Sequence, residues 1–253
     1  MKKILLYITA SIFSVWSQAA FSHGETEKRI MLEPELTSFS AGLITYKFQL
    51  VDTETNKLVA DSDLSVSHEK KLHLVVYDSS LNEFQHIHPE FSGNSWSVSA
   101  QFSVNGDYWV WAQGELAVDG TEFSTSTKLN VIGGVVAWPT PPGLADMRSG
   151  QSGVSKVNLS LNKVFAGKMT MLDLSMTRTD GSTPQLTPYM GAFAHIIATP
   201  EDGDSLIHVH PVSAGPTKGM LHATFPSAGV YRLWVQFIDA GNLIVIPLSV
   251  KVF

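Results

Sequence analysis

The sequence predicts an all-β protein made of two tandem β-sandwich domains. Past the N-terminal region, the apolar segments are short, rich in β-branched and aromatic residues, and often alternate with polar residues. Turn-forming residues such as Asp180 and Gly181 separate them, and no segment carries the apolar stripe of an amphipathic helix. A histidine pattern that occurs twice divides the chain into two similar halves. Many short strands with regular turns indicate a sandwich of about seven strands in each half.

Eight segments are predicted as strands from their composition and alternation. In chain order they are Leu72–Tyr77, Trp96–Phe102, Tyr108–Ala112, Leu159–Val164, Leu172–Met176, Ala194–Ala198, Tyr231–Phe237 and Leu243–Val252. A tyrosine preceded by Gly-x begins a late strand in each half, at Tyr108 and Tyr231. In immunoglobulin-like sandwiches such a tyrosine bonds back to the chain as a tyrosine corner. Ordinary aromatic packing is the alternative.

The N-terminus has the composition of an export signal, predicted over residues 1–22. Lys2 and Lys3 give it a positive start, and the mainly apolar run over 4–16 is rather short to span a bilayer. Small residues then offer cleavage after Ala19 or after Ser22. We therefore expect a periplasmic or secreted protein with no membrane span after cleavage. Retention of this segment as a membrane anchor is the alternative.

The domain boundaries follow from the repeat and from the composition between its copies. The first β-sandwich domain is predicted over residues 30–132 and the second over residues 154–253. Residues 133–153 between them are rich in glycine and proline, as in an interdomain linker.

Composition limits the function classes. The chain has 253 residues, of which 44% are hydrophobic and 16% charged, so it can form compact domains and is not expected to be disordered. It contains no cysteine, which excludes disulfides, zinc–thiolate and iron–sulfur sites, cysteine nucleophiles and the thiolate ligand of blue copper. The formal net charge of −6 leaves no basic patch that would indicate nucleic acid binding.

The most informative motif is a histidine spacing that occurs twice. In each copy, twelve residues separate a first histidine from His-x-His-Pro. The histidines are His73, His86 and His88 in the first copy, and His195, His208 and His210 in the second. Imidazole is the commonest side-chain metal ligand near neutral pH. The repeat therefore predicts a metal-binding protein with one three-histidine site in each domain.

The spacing suits one β-hairpin in each half. If the second hairpin turns at Asp202 and Gly203, paired residue numbers sum to 405, so His195 lies opposite His210. His208 then lies on the same face, because side chains alternate along a strand. In the first half a sum of 161 pairs His73 with its third histidine in the same way. Opposed Cβ atoms are about 4.5–5.5 Å apart and diagonal ones about 7–8 Å, so three imidazoles can reach one ion.

Alternatives remain open for these and nearby residues. The histidines could be hydrogen-bonded packing residues at a sheet edge that Pro89 and Pro211 protect. His68 and Met190 each precede the first histidine of a copy by five residues, so they could add a nitrogen and a thioether ligand respectively. Equally, Met190 could belong to the core and His68 to a solvated loop.

Four further residues have simpler explanations than metal binding. Met169, Met171 and Met176 lie in an apolar β segment, where packing is expected. His222 alternates with apolar neighbours and is expected to be exposed and inert.

The sequence around the histidines resembles that of a group of exported bacterial proteins with predicted heavy-metal-binding sandwich domains. The similar segments are 73–76 with 84–89 in the first half, and 188–195 with 207–211 in the second. The resemblance covers both halves. It implies immunoglobulin- or cupredoxin-like folds and a role in handling copper or another transition metal.

The leading functional hypothesis is copper buffering, delivery or resistance, with exchange of the ion with other periplasmic metal-handling proteins. The Irving–Williams order favours copper at imidazole sites, as Cu(II) or Cu(I), with zinc or nickel as alternatives. We identify no catalytic residues. A three-histidine zinc hydrolase would need a general base, and the nearby Glu69, Glu83 and Glu90 have no compelling spacing.

Two other functions stay open. Cleavage after Ser22 would make His23 the mature N-terminus, whose amine and imidazole could form a histidine brace. That arrangement resembles the copper site of polysaccharide monooxygenases. Alternatively, tryptophans could form the aromatic platform of a metal-free interaction module, although their alternation within strands favours burial. These tryptophans are Trp96, Trp109, Trp111 and Trp234.

Overall fold

The structure, a computed structural model, describes residues 29–136 and 146–253. The predicted signal peptide, His23 and residues 137–145 of the predicted linker lie outside the described residues. Within these ranges the chain consists of strands and turns, with one 3-10 turn at Asp61–Asp63. No described helix is long and apolar enough to cross a bilayer.

The first unit is a sandwich of two sheets. Its strands are β1 (Ile30–Pro34), β2 (Ser38–Ser40), β3 (Gly42–Asp52), β4 (Lys57–Leu58), β5 (Leu72–Asp78), β6 (Phe84–Ile87), β7 (Glu90–Ser92), β8 (Ser95–Phe102), β9 (Gly106–Glu115) and β10 (Glu122–Ile132). One sheet has the order β1-β3-β8-β7, with β4 also paired to β3, and the other has the order β2-β10-β9-β5-β6. Large side chains, among them Phe48, Trp96 and Phe102, fill the space between the sheets.

The second unit repeats this plan. Its strands are β11 (Ser149–Ser152), β12 (Ser155–Leu159), β13 (Met169–Arg178), β14 (Leu186–Thr187), β15 (His195–Pro200), β16 (Ile207–Val209), β17 (Val212–Gly215), β18 (Lys218–Thr224), β19 (Gly229–Asp239) and β20 (Asn242–Val252). One sheet has the order β11-β12-β13-β18-β17, and the other the order β14-β19-β15-β16 with β20 also paired to β19. Strand β11 lies among residues predicted as linker.

The all-β prediction is confirmed, and most of the predicted strands are present with longer extents. The segment Leu159–Val164 is the exception. Strand β12 ends at Leu159, the run beyond it is mainly exposed, and Val164 makes only an isolated bridge to Val252. Strands β3, β10 and β18 were not identified from sequence, because serine, threonine, lysine and glycine interrupt their apolar alternation.

Both predicted tyrosine corners are present. The Tyr108 hydroxyl accepts a hydrogen bond from the Val104 amide at 3.1 Å and lies 3.2 Å from the Val104 carbonyl. The Tyr231 hydroxyl makes the same pair of contacts with Ser227, at 3.3 and 3.2 Å. Each tyrosine thus fixes the turn that leads into the long strand β9 or β19.

The two units pack against each other through the sheets that contain β5 and β15. Both strands are buried on both faces, because one face covers the unit's own core and the other covers the second unit. Tyr77 and Trp234 stack at 5.4 Å between ring centroids. The Tyr77 hydroxyl donates to the Gly203 carbonyl at 2.8 Å and accepts from the Trp111 indole at 2.7 Å. This face holds the histidines.

The tryptophans do not form an exposed platform. Trp96, Trp111 and Trp234 are buried, as their alternation predicted. Trp111 and Trp234 belong to the core between the units rather than to the interior of either sandwich, and Trp109 is packed against that core.

Candidate metal centre

The hairpin registers predicted from sequence are confirmed. In the first unit Val75 pairs with His86, and in the second Ile197 pairs with His208. The residue numbers of these pairs sum to 161 and 405, as predicted. Because side chains alternate along each strand, the three histidines of each hairpin lie on one face. The third histidines, His88 and His210, follow directly after the ends of β6 and β16.

Packing of the two units brings both triads into one histidine cluster. The ring centroids of His86 and His208 are 5.3 Å apart, those of His73 and His208 are 5.7 Å apart, and those of His86 and His195 are 5.9 Å apart. We use the name histidine cluster for His68, His73, His86, His88, His195, His208 and His210.

Two groups of three histidines that could hold a metal ion share one histidine in this cluster, and we call them the two ligand sets. The first, predicted from sequence, is His73, His86 and His88, whose ligand nitrogens lie within 4.8 Å of one another. The second is His86, His195 and His208, which meets the same limit and draws on both units. The first set lies within one unit, as expected from the sequence, whereas the second combines two histidines of the second unit with His86 of the first. Local periodicity gives the face of a strand but carries no information about which other surface will cover that face.

The backbone fixes the orientation of the first histidine in each hairpin. His73 Nε2 donates to the Ser67 carbonyl at 3.1 Å, which leaves Nδ1 with its lone pair 3.1 Å from His86 Nε2. His195 Nε2 likewise donates to the Tyr189 carbonyl at 3.0 Å. A metal-ligating histidine typically donates its other ring N–H to such an acceptor. Both hairpins thus contain a hydrogen bond of this kind from the first histidine to a backbone carbonyl.

A glutamine from each unit faces the middle histidine of the other. His208 Nδ1 donates to Gln113 Oε1 at 3.2 Å, and Gln113 Nε2 donates to Ser124 Oγ. His208 Nε2 therefore carries a lone pair, and it lies 3.2 Å from His195 Nδ1, which carries another. Two lone pairs at this distance repel unless a cation lies between them. The Gln236 side chain of the second unit partly offsets the lowering of the pKa of His86 in the first unit.

These glutamines were missed in the sequence analysis, although a signal for them exists. Each lies two residues after a tryptophan at matching positions in the two halves, in Trp111-Ala112-Gln113 and Trp234-Val235-Gln236. A repeated Trp-x-Gln on strands facing the histidine hairpins could have identified them.

Burial keeps the histidines neutral at physiological pH. It lowers the pKa of His73 and His195 to about 4, and that of His88 to about 3, with smaller effects from neighbouring positive charges. The pKa of His86 and of His208 is also well below its ordinary value for the same reasons. Protons therefore compete weakly for the imidazole lone pairs.

The nitrogen spacing fits a transition-metal ion. The paired nitrogens described above are 3.1 and 3.2 Å apart, and His210 Nε2 lies 3.0 Å from His195 Nδ1. With metal–nitrogen bonds of about 2.0–2.1 Å, such pairs subtend about 90–105° at an ion, in the range of square-planar and tetrahedral coordination. His88 Nε2 is buried and makes no hydrogen bond within the described residues. A bound ion would satisfy it.

The two further candidates, His68 and Met190, lie in short loops at equivalent positions. Both have left-handed backbones, with φ of 50° and 48°. The His68 ring lies 3.7 Å from the His210 ring, between centroids, so it joins the cluster from the opposite unit instead of lying in a solvated loop. Met190 is buried.

The methionines of β13 depart from the sequence expectation. Met176 is buried, as predicted, but Met169 and Met171 are 59% and 60% exposed. Both occupy outward positions of the strand, which alternation alone could not distinguish from inward ones. His222, expected to be exposed, is partly buried.

The fold and the cluster define a class: a tandem immunoglobulin-like β-sandwich protein with a histidine-lined centre between its two units. The chain belongs to the family described as a domain of unknown function (DUF8832), whose model matches residues 35–132 and 150–253.

Comparison with curated proteins gives no match. Among solved structures, fibronectin(III)-like modules of Clostridium thermocellum CbhA align at 12% identity with a TM-score of 0.25, over 88% of this chain and 93% of that one. Salmonella alpha-2-macroglobulin reacted with methylamine aligns at 10% identity with a TM-score of 0.29, over 98% of this chain and 16% of that one. Neither similarity carries a functional argument.

Proposed function

We propose that this is an exported transition-metal-binding protein that holds copper in the histidine cluster, for buffering, delivery or resistance. One observation carries the proposal. Neutral imidazoles from two hairpins converge with paired ring nitrogens 3.1–3.2 Å apart, and those of His195 and His208 face each other with their lone pairs, while backbone carbonyls accept from the outer N–H groups of His73 and His195. This is the arrangement of ligands around an ion.

A purely structural role explains the cluster less well. Packing histidines normally pair a donor with an acceptor. Here His195 Nε2 donates to the Tyr189 carbonyl and His208 Nδ1 donates to Gln113, so His195 Nδ1 and His208 Nε2, which lie 3.2 Å apart, are both acceptors. Burying a polar atom without a partner costs about 1–3 kcal/mol, so an arrangement with several such atoms is explained by a ligand that satisfies them together.

The donor set favours copper over other first-row ions. The ligands are imidazole nitrogens, which suit copper, zinc and nickel, and the Irving–Williams order ranks Cu(II) highest among these. An exported location would place the protein where it could exchange the ion with other periplasmic metal-handling proteins. Zinc or nickel would be the competing occupants.

Since the second ligand set draws on both units, a bound ion would also link them. Binding to the folded state alone stabilises it by RT ln(1 + [L]/Kd), about 2.7 kcal/mol at a free concentration 100 times Kd. Copper should therefore raise the unfolding temperature of the whole chain rather than that of one unit.

The test is a metal titration of the chain without the predicted signal segment, purified without a metal-affinity tag. We expect Cu(II) uptake and an electron paramagnetic resonance spectrum with nitrogen hyperfine structure, both lost in the double variant His86→Gln/His208→Gln. The control is Met31→Leu, which changes an exposed residue of the first unit outside the cluster. Uptake that survives the double variant, with the β circular dichroism of the wild type, would overturn the proposal.

A further inference from the structure

A second group of potential ligands lies on the outer face of the β13–β18 sheet, away from the histidine cluster. Met169 and Met171 project from β13 and are more than half exposed, whereas Met220 and His222 project from β18 and are partly buried. We call these four residues the methionine face. The thioethers of Met169 and Met171 are therefore open to solvent.

The strand register places three of the four side chains within reach of one ion on either side of the Met171–His222 pair. Met171 pairs directly with His222, and Met169 and Met220 lie on the same face but on opposite sides of this pair, so one ion can bind either of them together with Met171 and His222. Directly opposed Cβ atoms in an antiparallel sheet are about 4.5–5.5 Å apart, and diagonal ones about 7–8 Å. Methionine has three rotatable side-chain bonds, so its sulfur can close such gaps.

His222 carries an unsatisfied atom within this group. Its Nε2 is buried and makes no hydrogen bond within the described residues, although the residue as a whole remains partly accessible. Desolvating a ring nitrogen without a partner is unfavourable. A cation held beside the thioethers would provide the partner.

The first unit lacks this group at the matching positions. The Thr45–Ser99 pair of the first unit is equivalent to the Met171–His222 pair of the second. Leu43 occupies the position equivalent to Met169. The β-sandwich fold that both units share therefore does not require thioethers or an imidazole at these positions. They are particular to the second unit.

We propose that the methionine face binds a soft monovalent ion, Cu(I) or its analogue Ag(I), through thioether sulfurs and the His222 imidazole. Thioethers select Cu(I) over harder divalent ions. The site is exposed, so an ion can enter from solvent. It does not depend on the histidine cluster, which offers nitrogen ligands only.

The experiment uses Ag(I), which does not change oxidation state, added to the mature chain labelled with 13C at the methionine methyl groups. We expect the methyl signal of Met171 to shift together with that of Met169 or that of Met220. The signal of Met31, 47% exposed on β1 of the first unit, should stay in place and is the internal control. Equal shifts at Met31, or shifts confined to Met190, would overturn the proposal.

Variants separate this site from the histidine cluster. Losing only an outer-shell partner costs about 10–100-fold in metal affinity, so replacing Met169, Met171 and Met220 together with leucine should weaken Ag(I) binding by at least about 100-fold. Met31→Leu should leave it unchanged. Leucine conserves volume at these outward positions, so the fold should be retained.

The same titration in His86→Gln/His208→Gln protein should still show the methyl shifts. If Ag(I) binding at the methionine face survives there while Cu(II) uptake is lost, the two sites are independent. If the triple leucine variant binds Ag(I) as tightly as wild type, the methionine face is not a metal site, whatever happens at the histidine cluster.

Discussion

The two units have closely similar geometry around their histidines although their turns differ in sequence. The ring centroids of His73 and His86 are 5.3 Å apart, and those of His195 and His208 are 5.4 Å apart. The cross-unit distances, 5.7 and 5.9 Å, also match. Strand register, rather than turn chemistry, therefore determines where the imidazoles lie.

The units differ at the turns themselves. Leu81 and Gly203 occupy equivalent positions with left-handed backbones, at φ of 57° and 72°. The side chain of Leu81 is buried in the core between the units, which compensates its unfavourable backbone conformation. Gly203 lies against the Trp109 indole, where a Cβ would approach within 2.5 Å. The turn of the first unit is thus stabilised by packing of the Leu81 side chain. The turn of the second unit is stabilised by the close contact of Gly203 with Trp109.

The largest expected effect that tests the equivalence of the units is pH-dependent. The pKa of His73 and of His195 is about 4 in the folded protein and 6.5 as the ordinary value. The unfolded chain therefore binds more protons between these values. The stability that each neutral histidine contributes is complete above pH 6.5 and falls as pH drops toward 4, by about 2 kcal/mol per histidine at pH 5.

Urea unfolding of metal-free wild type, His73→Gln and His195→Gln at pH 7.5 and 5 measures this. Each variant should lose an equal share of the pH dependence. Unequal shares would show that the two hairpins have different surroundings.

The next effect concerns the histidine shared by the two ligand sets. His86→Gln removes a ligand from both sets, whereas His88→Gln removes one from the first set only. We expect a loss of Cu(II) affinity of at least about 100-fold for His86→Gln and on the order of tenfold for His88→Gln. Competition with a chromophoric chelator gives both values. Equal losses of Cu(II) affinity in the two variants would contradict the inference that both sets share His86.

A smaller effect tests the close approach at Gly203. Gly203→Ala combines a left-handed backbone with a clash against Trp109, and we expect it to lower the free energy of unfolding by about 1–3 kcal/mol. Gly181→Ala is the matched control, because its φ is 77° but no atom lies within 4 Å of the added carbon. Thermal unfolding should show the larger decrease for Gly203→Ala. Equal decreases would mean that backbone strain alone matters.

The smallest effect compares the tyrosine corners. Tyr108→Phe and Tyr231→Phe each remove hydrogen bonds worth about 0.5–1.5 kcal/mol. The loss should be larger at Tyr108, whose hydroxyl also bonds the Glu83 carboxylate, than at Tyr231, whose further partner is the neutral Ser227 hydroxyl. Urea unfolding of the two variants gives the order, and a reversed order would contradict the role of Glu83.

Much of the fold was predictable because it depends on local pattern. Alternation identified strands β5, β9, β15 and β19, and the repeated Gly-x-Tyr identified both tyrosine corners. The strands β3 and β10 were missed because polar residues on the outward face dilute the apolar signal. Outward and inward positions of β13 could not be assigned either, since both carry apolar residues.

The amino-acid sequence is enough to assign the three histidines of each hairpin to one face, because paired residues have a constant sum of numbers and side chains alternate with a period of two. The meeting of the two faces, the presence of His86 in both groups that could hold a metal ion, and the contact of Gln113 with His208 of the other unit follow from tertiary packing. The physical reason is that docking of the units depends on the combined shape of Tyr77, Trp111, Trp234 and their neighbours. The alternation of apolar and polar residues along the chain does not predict that combined shape.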